Sequence, residues 1–291
     1  MQLSVVIPCY NGAATIGEQL EALACQKWDG EWEVVVSDNG STDGSQDIVE
    51  SFRDRLPNLQ VLNSSSDRGR SRNRNAGIAQ ARGDLILTCD ADDVVADNYV
   101  AAMAGALAAH DFVACRLEAE RLNEPWQTES WPCGQCTGLL DFAPTFLPFG
   151  GAGTLGFKRV VFDTVGGFDP KFRSREDSDF CWKAQLAGFA LHFVAETVIH
   201  YRYPKGYSQM YRQSRELAWS SVQLYKKYRS LGMPRLPRRE ALRGHVRWKR
   251  ILAQLKHFKE YDRARRAHFV RDVGHKLGRL EGSIRYRVLA L

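Results

Sequence analysis

An apolar segment that ends abruptly in acidic residues constrains this chain more than any other feature. Residues 85–93 read LILTCDADD, which predicts a short buried strand followed at once by Asp90 and Asp92. Residues two apart on an extended chain project to the same side, so these carboxylates are predicted to share one site. Two neighbouring anions repel each other unless a cation or hydrogen-bond donors lie between them. The pattern is compatible with a ligand site, and an ordinary acidic loop is the alternative until further motifs are considered.

Three other apolar segments also end in polar residues. They are residues 3–8 before CYNG, residues 32–36 before SDNGSTD and residues 59–62 before NSSSD. Segments with helical spacing or capping residues lie between the predicted strands, at residues 14–26, 43–52 and 71–81. Strands that alternate with helices of about ten residues predict βαβ units and a parallel sheet. Because ligands bind at the carboxyl edge of such sheets, residues 1–100 are predicted to form a nucleotide site.

Five motifs, taken in order, resemble those of the family 2 glycosyltransferases. They are VVIPCYNG (5–12), VVVSDNGSTDGS (34–45), GRSRNRNAG (69–77), DLILTCDADD (84–93) and REDSDFCWKAQLAG (175–188). The resemblance spans roughly residues 3–210 and implies an α/β protein of the GT-A fold, a Rossmann-like parallel or mixed sheet with flanking helices. It also implies a nucleotide-sugar donor. No GxGxxG follows the first strand and no GxxxxGK[ST] occurs, which argues against a dinucleotide oxidoreductase or a P-loop enzyme.

The resemblance implies that the first two strand ends bind the nucleotide. Pro8, Tyr10 and Asn11 stand where the family's first loop contacts the nucleotide. Asp38 stands where a carboxylate accepts a hydrogen bond from the base, which suits uracil or thymine and also guanine. The residue type leaves a packing role open for Tyr10. The expected donor is therefore a UDP-, dTDP- or GDP-linked sugar.

Arg74 and the acidic turn are expected to hold the rest of the donor. Arg74 matches an arginine that closes over the nucleoside and diphosphate, and a surface helix charge is the alternative interpretation. Asp90, Ala91 and Asp92 match the family's DxD motif, in which Asp90 holds the ribose and Asp92 ligates a divalent metal. Mn²⁺ or Mg²⁺ is the expected cofactor, because such cations bind carboxylate and phosphate oxygens.

The acidic cluster REDSD (175–179) is expected to carry the chemistry. It precedes an apolar helical pattern, so simple capping of that helix is the alternative interpretation. Asp177 aligns with the family's catalytic base, which takes a proton from the acceptor hydroxyl as that oxygen attacks the anomeric carbon. Glu176 is expected to orient its neighbours. A single displacement inverts the anomeric centre, so an α-linked donor would give a β-linked product.

Residues around and after this cluster are expected to reach the metal, the diphosphate or the acceptor. His200 lies at a predicted strand end, where some relatives place a metal-ligating histidine, and a satisfied core or surface histidine is the alternative. Glycine clusters let the backbone approach a ligand closely. The residues assigned to the acceptor or the diphosphate are Gly150, Gly151, Arg175, Arg202 and Lys205.

The C-terminal part of the chain is strongly basic. Residues 235–291 hold 17 Lys/Arg and 5 Asp/Glu, a net charge of +12 against +6 for the whole chain. Apolar residues recur there at helical steps, at Val246, Trp248, Ile251, Leu252, Leu255 and Phe258. A basic amphipathic helix predicts contact with an anionic membrane surface, and a face packed on the catalytic domain is the alternative. No nucleic-acid partner is expected, because the sequence contains no recognisable RNA- or DNA-reading module.

These observations predict a catalytic domain followed by a basic helical extension. Residues 1–212 form the GT-A domain, with a nucleotide-sugar-binding half (1–100) and an acceptor-binding half (101–212), and residues 213–291 form the extension. Seven cysteines without a pairing pattern indicate a reducing compartment, and neither a signal peptide nor a spanning helix is expected.

The predicted protein is a cytoplasmic, metal-dependent, inverting glycosyltransferase, peripheral on the inner face of the cytoplasmic membrane. Its predicted role is the synthesis of cell-surface polysaccharide on a saccharide or lipid-linked acceptor. Two alternatives are a sugar nucleotidyltransferase and a non-catalytic relative that only binds a nucleotide-sugar.

Overall fold

The structure is a computed structural model that describes residues 2–56, 58–235, 251 and 253–288. Its centre is an eight-stranded sheet with the strand order β3-β2-β1-β4-β7-β6-β8-β5. The strands are β1 (Leu3–Cys9), β2 (Trp32–Asp38), β3 (Leu59–Asn63), β4 (Leu85–Thr88), β5 (Val94–Val95), β6 (Phe112–Glu118), β7 (Leu155–Lys158) and β8 (Leu191–His200).

The sheet is mixed, with a parallel half and an antiparallel insertion. β1 pairs in parallel with β2 and β4, and β2 pairs in parallel with β3. β7 lies antiparallel between β4 and β6, while β6 pairs in parallel with β8 and the short β5 is antiparallel to β8. The polar segments that follow β1, β2 and β4 therefore meet at one edge of the sheet, as the sequence predicts.

The core lies on both faces of the sheet. Val5 and Ile7 belong to one buried cluster and Val6 to the other, because successive side chains of a strand point to opposite faces. Burial on both faces explains why β1 is almost continuously apolar.

Helices cover both faces. They are α1 (Ile16–Ala24), α2 (Ser45–Glu50), α3 (Arg70–Gln80), α4 (Tyr99–Ala109), α5 (Pro125–Ser130), α6 (Arg159–Val165), α7 (Glu176–Leu186), α8 (Tyr207–Tyr228) and α9 (Arg263–Tyr286). The three helical segments predicted among residues 1–100 correspond to α1, α2 and α3.

An aromatic cluster joins α7 to α8. The fully buried ring of Trp182 meets Phe142, Phe146 and Tyr228 edge-on, with centroids 5.1, 5.3 and 4.9 Å away. Asp179 is also fully buried and accepts a hydrogen bond of 2.8 Å from the Tyr228 hydroxyl. The last turn of α8 therefore shares a core with the acidic cluster, and the boundary predicted between residues 212 and 213 falls inside α8.

The C-terminal helix α9 lies along α8 in close contact. Gly274, Gly278 and Gly282 recur on the buried side of α9 at four-residue steps. A Cβ added to Gly274 would lie 2.5 Å from the carbonyl oxygen of Tyr211, so only glycine permits this approach of the two helices. Within the described residues, α9 is therefore packed on α8, a helix that crosses the boundary predicted between residues 212 and 213.

The apolar residues predicted for a membrane helix lie mostly ahead of α9. Val246, Trp248 and Leu252 lie outside the described residues. Ile251 is buried and Leu255 is 56% exposed. Within the described ranges, no helix combines the length and apolar character needed to cross a bilayer.

Candidate active site

Two asparagines tie the strand ends together. The carbonyl oxygen of Cys9, at the end of β1, accepts hydrogen bonds from the Asn39 backbone N–H at 2.9 Å and the Asn73 side chain at 3.2 Å. The Asn39 side chain donates to the Ser64 carbonyl at 2.8 Å and accepts from the Gly69 N–H at 3.0 Å. Sequence reasoning missed both asparagines, although each lies within a quoted motif. They make this edge of the sheet a preformed site.

The loop after β1 is fixed by the loop after β2. Asn11 has a positive φ of 51°, and its side chain accepts a hydrogen bond from the Thr42 N–H at 3.0 Å. Its own N–H donates to Ser41 Oγ at 2.9 Å. Pro8 is half-buried in β1, whereas Tyr10 is 58% exposed. Tyr10 is therefore a surface side chain at the site edge and does not pack in the core.

Asp38 is buried at the end of β2 and is saturated with internal donors. One carboxylate oxygen accepts from the N–H groups of Gly40 and Ser41, at 3.1 and 3.0 Å, and from Gln46 Nε2 at 2.7 Å. The other accepts from Ser41 Oγ at 2.5 Å. A base that bound Asp38 would have to displace or share one of these donors, because a carboxylate has about four acceptor positions.

Arg74 joins the acidic turn to the acidic cluster. Its Nη2 donates to Asp90 Oδ1 at 2.9 Å, and its Nη1 lies 3.5 Å from Glu176 Oε1. The guanidinium also stacks over Phe168, 5.1 Å from the ring centroid. Burial opposes the charge, but the carboxylates of Asp90, Glu176 and Asp177 outweigh it and raise the pKa of Arg74. The structure thus excludes the surface-charge interpretation of Arg74.

The DADD turn concentrates three carboxylates around the buried Ala91. Asp92 is exposed at the rim, yet desolvation of its carboxylate, followed by the charge of Asp90, raises its pKa to about 6. Asp93 is 2% exposed, and burial, followed by the charges of Asp92 and Asp90, raises its pKa well above its usual range. Arg202 supports the turn by donating its N–H to Asp93 Oδ1 at 2.9 Å and its Nε to the Asp92 carbonyl at 2.8 Å.

Asp93 was missed by the sequence interpretation, although it directly follows the DxD motif. Arg202 was assigned to the diphosphate. In the structure its guanidinium holds the backbone of the turn and pairs with Glu18 at 2.9 Å.

The acidic cluster begins helix α7. Arg175 precedes it with a positive φ of 66°, which turns the chain into the helix. Glu176 is 6% exposed, and burial, followed by the Asp177 charge, raises its pKa against the opposing charge of Arg74. Asp177 is half-buried and accepts hydrogen bonds from the Ser178 N–H at 2.6 Å and hydroxyl at 3.2 Å. The base candidate is therefore accessible, while its neighbour is held by Arg74.

Arg175 lies on the other side of the cluster. Its guanidinium stacks over Phe142 and Phe149, with centroids 5.5 and 5.3 Å away, and its Nε donates to Ser221 Oγ at 3.2 Å. Burial lowers the pKa of Arg175, against the opposing charges of Asp177 and Glu176.

A glycine segment passes close to the DxD motif. A Cβ added to Gly153 would lie 2.9 Å from Asp90 Oδ2, so a side chain at this position would displace the Asp90 carboxylate. Gly150 accepts from the Cys181 thiol at 3.8 Å, and the Gly151 N–H donates to Gln135 Oε1 at 2.9 Å. The two predicted glycines thus anchor the segment, and the third, which sequence reasoning did not assign, faces Asp90.

His200 ends β8 and pairs through Nδ1 with the carboxylate of Glu118. This arrangement fixes the ring, as a carboxylate does behind a metal-bound histidine, so a metal would have to use Nε2. Lys205 lies in the exposed loop before α8. Within the described residues, no hydrogen bond or ion pair joins Lys205 to the acidic turn.

The donor set fits a cation whose ligands come only in part from protein. Within the described residues, no group of three or more His, Cys, Asp or Glu side chains is arranged to hold a metal ion. Desolvation, followed by the charge of Asp90, raises the pKa of Asp92, and a bound cation would favour the charged carboxylate against both. Mg²⁺ and similar ions commonly bind one or two carboxylates together with substrate phosphates, so Asp92 would hold such an ion with the diphosphate.

The fold is shared with solved glycosyltransferases. The Staphylococcus aureus TarS fragment 1–349 matches 98% of this chain and 91% of its own, with a TM-score of 0.56 and 21% identity. A mannosyltransferase from Pyrobaculum calidifontis, solved with GDP-Man and Mn²⁺, matches 96% of this chain and 87% of its own, with a TM-score of 0.66 and 18% identity. The predicted GT-A fold is confirmed.

Proteins with similar sequences are also named glycosyltransferases. The uncharacterized glycosyltransferase YwdF of Bacillus subtilis is 28% identical over 188 residues, which are 63% of this chain and 68% of the relative. The poly(ribitol-phosphate) beta-N-acetylglucosaminyltransferase TarS is 40% identical over 97 residues, but these are 33% of this chain and 17% of TarS. The model of the family described as "Glycosyl transferase family 2" matches residues 4–166, more than half of the chain. This chain belongs to glycosyltransferase family 2.

Proposed function

We propose that this glycosyltransferase is inverting and metal-dependent. It moves a sugar from a UDP-, dTDP- or GDP-linked donor to a hydroxyl of a saccharide or lipid-linked acceptor. The observation that carries the proposal is Arg74, whose guanidinium contacts Asp90 of the donor turn and Glu176 of the acidic cluster. Because Arg74 is 3% exposed, it fixes the distance between the two groups. A single site can therefore hold the donor beside the base.

The donor is assigned to the carboxyl edge of the sheet. Pro8, Tyr10, Asn11 and Asp38 surround the nucleoside, and Asp90 holds the ribose. The solved relatives support a nucleotide-sugar, since TarS is described in complex with UDP-GlcNAc and the mannosyltransferase with GDP-Man. The exposed ring of Tyr10 is available to cover the base.

The metal is assigned to Asp92, with His200 as a further ligand through Nε2. When bound, a Mn²⁺ or Mg²⁺ ion would neutralise charge on the departing diphosphate. The Glu118 carboxylate orients His200 for that role.

Asp177 acts as the general base. It accepts the proton of the acceptor hydroxyl while that oxygen forms a bond to the anomeric carbon, and the bond from this carbon to the diphosphate breaks on the opposite face. Glu176, paired with Arg74, keeps the acidic cluster in place during the displacement. Gly150, Gly151, Arg175 and Lys205 are assigned to the acceptor side or the diphosphate.

A donor screen followed by product analysis tests the proposal. Nucleoside diphosphates with Mn²⁺ should raise the unfolding temperature, because a ligand of the folded state stabilises it by mass action. Transfer should release nucleoside diphosphate, and proton NMR should show a β-linked product from an α-linked donor. Release of pyrophosphate would identify a nucleotidyltransferase instead, and a retained α-linkage would contradict the single displacement.

Cell-surface polysaccharide synthesis at the inner face of the cytoplasmic membrane is the proposed setting. The exposed Leu255 lies beside exposed Lys256 and Lys259, so this part of the tail presents an apolar side chain within a basic surface. Vesicles of anionic lipid should sediment the protein at low salt and release it as salt rises, because the attraction is screened. Equal binding to neutral vesicles would contradict this contact.

A further inference from the structure

The loop between β8 and α8, residues 201–206, lies against the DADD turn. Arg202 in this loop holds both the carbonyl of Asp92 and the carboxylate of Asp93, at 2.8 and 2.9 Å. The Tyr201 N–H donates to the Glu118 carbonyl at 2.7 Å, which aligns the loop with β6. Through Arg202, the β8–α8 loop is therefore one of the elements that hold the backbone of the acidic turn, together with Gln19 of α1, which donates to the Asp90 carbonyl at 3.4 Å.

Residues before α5 and within it hold the outer side of the β8–α8 loop. Asn123 donates to the Tyr201 carbonyl and accepts from the Tyr203 N–H, both at 2.7 Å. Gln127 donates to the Pro204 carbonyl at 3.2 Å, and the Tyr203 hydroxyl donates to the Trp131 carbonyl at 2.8 Å. Tyr203 is thus held both through its backbone N–H and through its side-chain hydroxyl.

Helix α9 places a buried arginine against that point. Arg271 is 3% exposed, and its guanidinium carbon lies 5.6 Å from the Tyr203 ring centroid and 5.0 Å from that of Trp131. Its Nη1 donates to Gln213 Oε1 at 3.5 Å. Within the described part of the chain, Nε and Nη2 of Arg271 have no hydrogen-bond partner.

A buried guanidinium is costly when two of its nitrogens, Nε and Nη2, with three N–H groups between them, lack partners among the described residues. Burial lowers the pKa of Arg271, against the opposing influence of Tyr201 and Tyr203. Apolar side chains of similar size often replace buried charges without loss of stability, so packing alone would not require an arginine here. The cation stacks on two rings, and this contact orients Tyr203 more strictly than an apolar neighbour would.

We infer that Arg271 is a positioning residue for the donor site. It acts through Tyr203 on the β8–α8 loop, and Arg202 of that loop holds the turn that carries Asp90 and Asp92. The inference rests on the proposed function, because it assigns the C-terminal helix α9 a role in nucleotide binding at the proposed donor site. It follows that the basic extension supports the donor site, in addition to the membrane contact proposed for its exposed basic surface.

Arg271→Met in the full-length protein tests the inference, with Arg263→Met as the matched control. Arg263 lies on the same helix and stacks on a tryptophan, Trp126, at 5.2 Å, but its side chain is exposed and, among the described residues, forms its ion pair with Glu124 outside the β8–α8 loop. Three quantities are compared: hydrogen exchange at the amides of residues 201–203, the Kd for UDP or GDP with Mn²⁺ by calorimetry, and the unfolding temperature.

We expect Arg271→Met to speed exchange at these amides and to weaken nucleotide binding about tenfold, the scale of a lost supporting partner behind a ligand site. Its unfolding temperature should be equal to or above that of the wild type, because an unsatisfied buried charge is removed. Arg263→Met should match the wild type in exchange and in Kd. If Arg271→Met showed the same amide exchange and the same Kd as the wild type, the inference would be overturned. It would also be overturned if the unfolding temperature fell so far that general loss of stability explained both the faster exchange and the weaker nucleotide binding.

Arg271→Lys carries the test if the methionine variant does not fold. Lysine keeps the cation near the two rings but loses the planar fork, so nucleotide binding should be weakened about threefold. Wild-type binding by this variant would overturn the inference. If the wild-type protein bound no nucleoside diphosphate, the proposed function would fail, while the exchange comparison would still decide whether Arg271 holds the loop.

Discussion

Replacing Gly274 by alanine should loosen α9 from α8. The added Cβ would lie 2.5 Å from the Tyr211 carbonyl oxygen, whereas such contacts normally exceed 3.0 Å, so α9 must retreat by about 0.5 Å. The obstacle is backbone and cannot rotate away. Overpacking of this kind costs about 1–3 kcal/mol, and the better helix propensity of alanine returns about 1 kcal/mol. We expect a net loss of about 0–2 kcal/mol in the free energy of unfolding. Gly278→Ala should cost more, because its Cβ would come still closer to the Arg215 carbonyl.

Gly105→Ala is the control for this prediction. Gly105 lies inside α4, and a Cβ added there meets no atom within 4 Å. The same substitution should therefore stabilise the protein by about 1 kcal/mol. Thermal and urea unfolding, followed by circular dichroism, measure the change in the free energy of unfolding for both variants. A Gly274→Ala protein that is stabilised as much as the Gly105→Ala protein would refute the close packing of α9 on α8.

Three further predictions concern the site. Asp177→Asn should lower sugar transfer about 10²–10⁴-fold in a single-turnover assay with nearly unchanged donor affinity, because an amide cannot accept the proton; an active variant would mean that Asp177 only caps α7. Desolvation, followed by the charge of Asp90, raises the pKa of Asp92 from 3.8 to about 6, so the folded metal-free protein holds this proton more tightly than the unfolded chain. This contribution to stability falls as pH rises from about 4 to 6, and Asp92→Asn should flatten that slope in thermal scans. Gly153→Ala should weaken nucleoside diphosphate binding roughly tenfold in calorimetry by displacing Asp90, whereas Gly138→Ala, which meets no atom within 4 Å, should bind normally.

The parallel half of the fold follows from local patterns. Each apolar segment among residues 1–100 that ends in polar groups became a strand, and each intervening helical segment became a helix. Strands and helices of this kind can be predicted because their hydrophobic patterns are local. Once the strands are taken as parallel, their carboxyl ends meet at one edge of the sheet. The clustering of Asn11, Asp38, Asp90 and Asp92 at that edge was predictable for the same reason.

Contacts between distant segments were not predictable in this way. The motifs named Arg74, Asp90 and Glu176 separately, but only the packing of α3, the acidic turn and α7 around one buried guanidinium brought them together. The internal donors of Asp38 and the pairing of His200 with Glu118 likewise depend on loops that no local pattern positions.

The sequence by itself determined the strand ends, the polar residues they carry and the family to which these motifs point. Only the tertiary structure showed which surface covers the buried face of the basic tail between residues 263 and 286. Periodicity shows that one face of a helix is buried, but it does not identify the covering surface, and a membrane and a neighbouring helix both satisfy an amphipathic pattern. In α9 the buried face that packs on α8 contains glycines at 274, 278 and 282. Glycine is not apolar enough for this row to stand out in a hydropathy pattern. Its role emerges only where α8 approaches closely enough to exclude a Cβ.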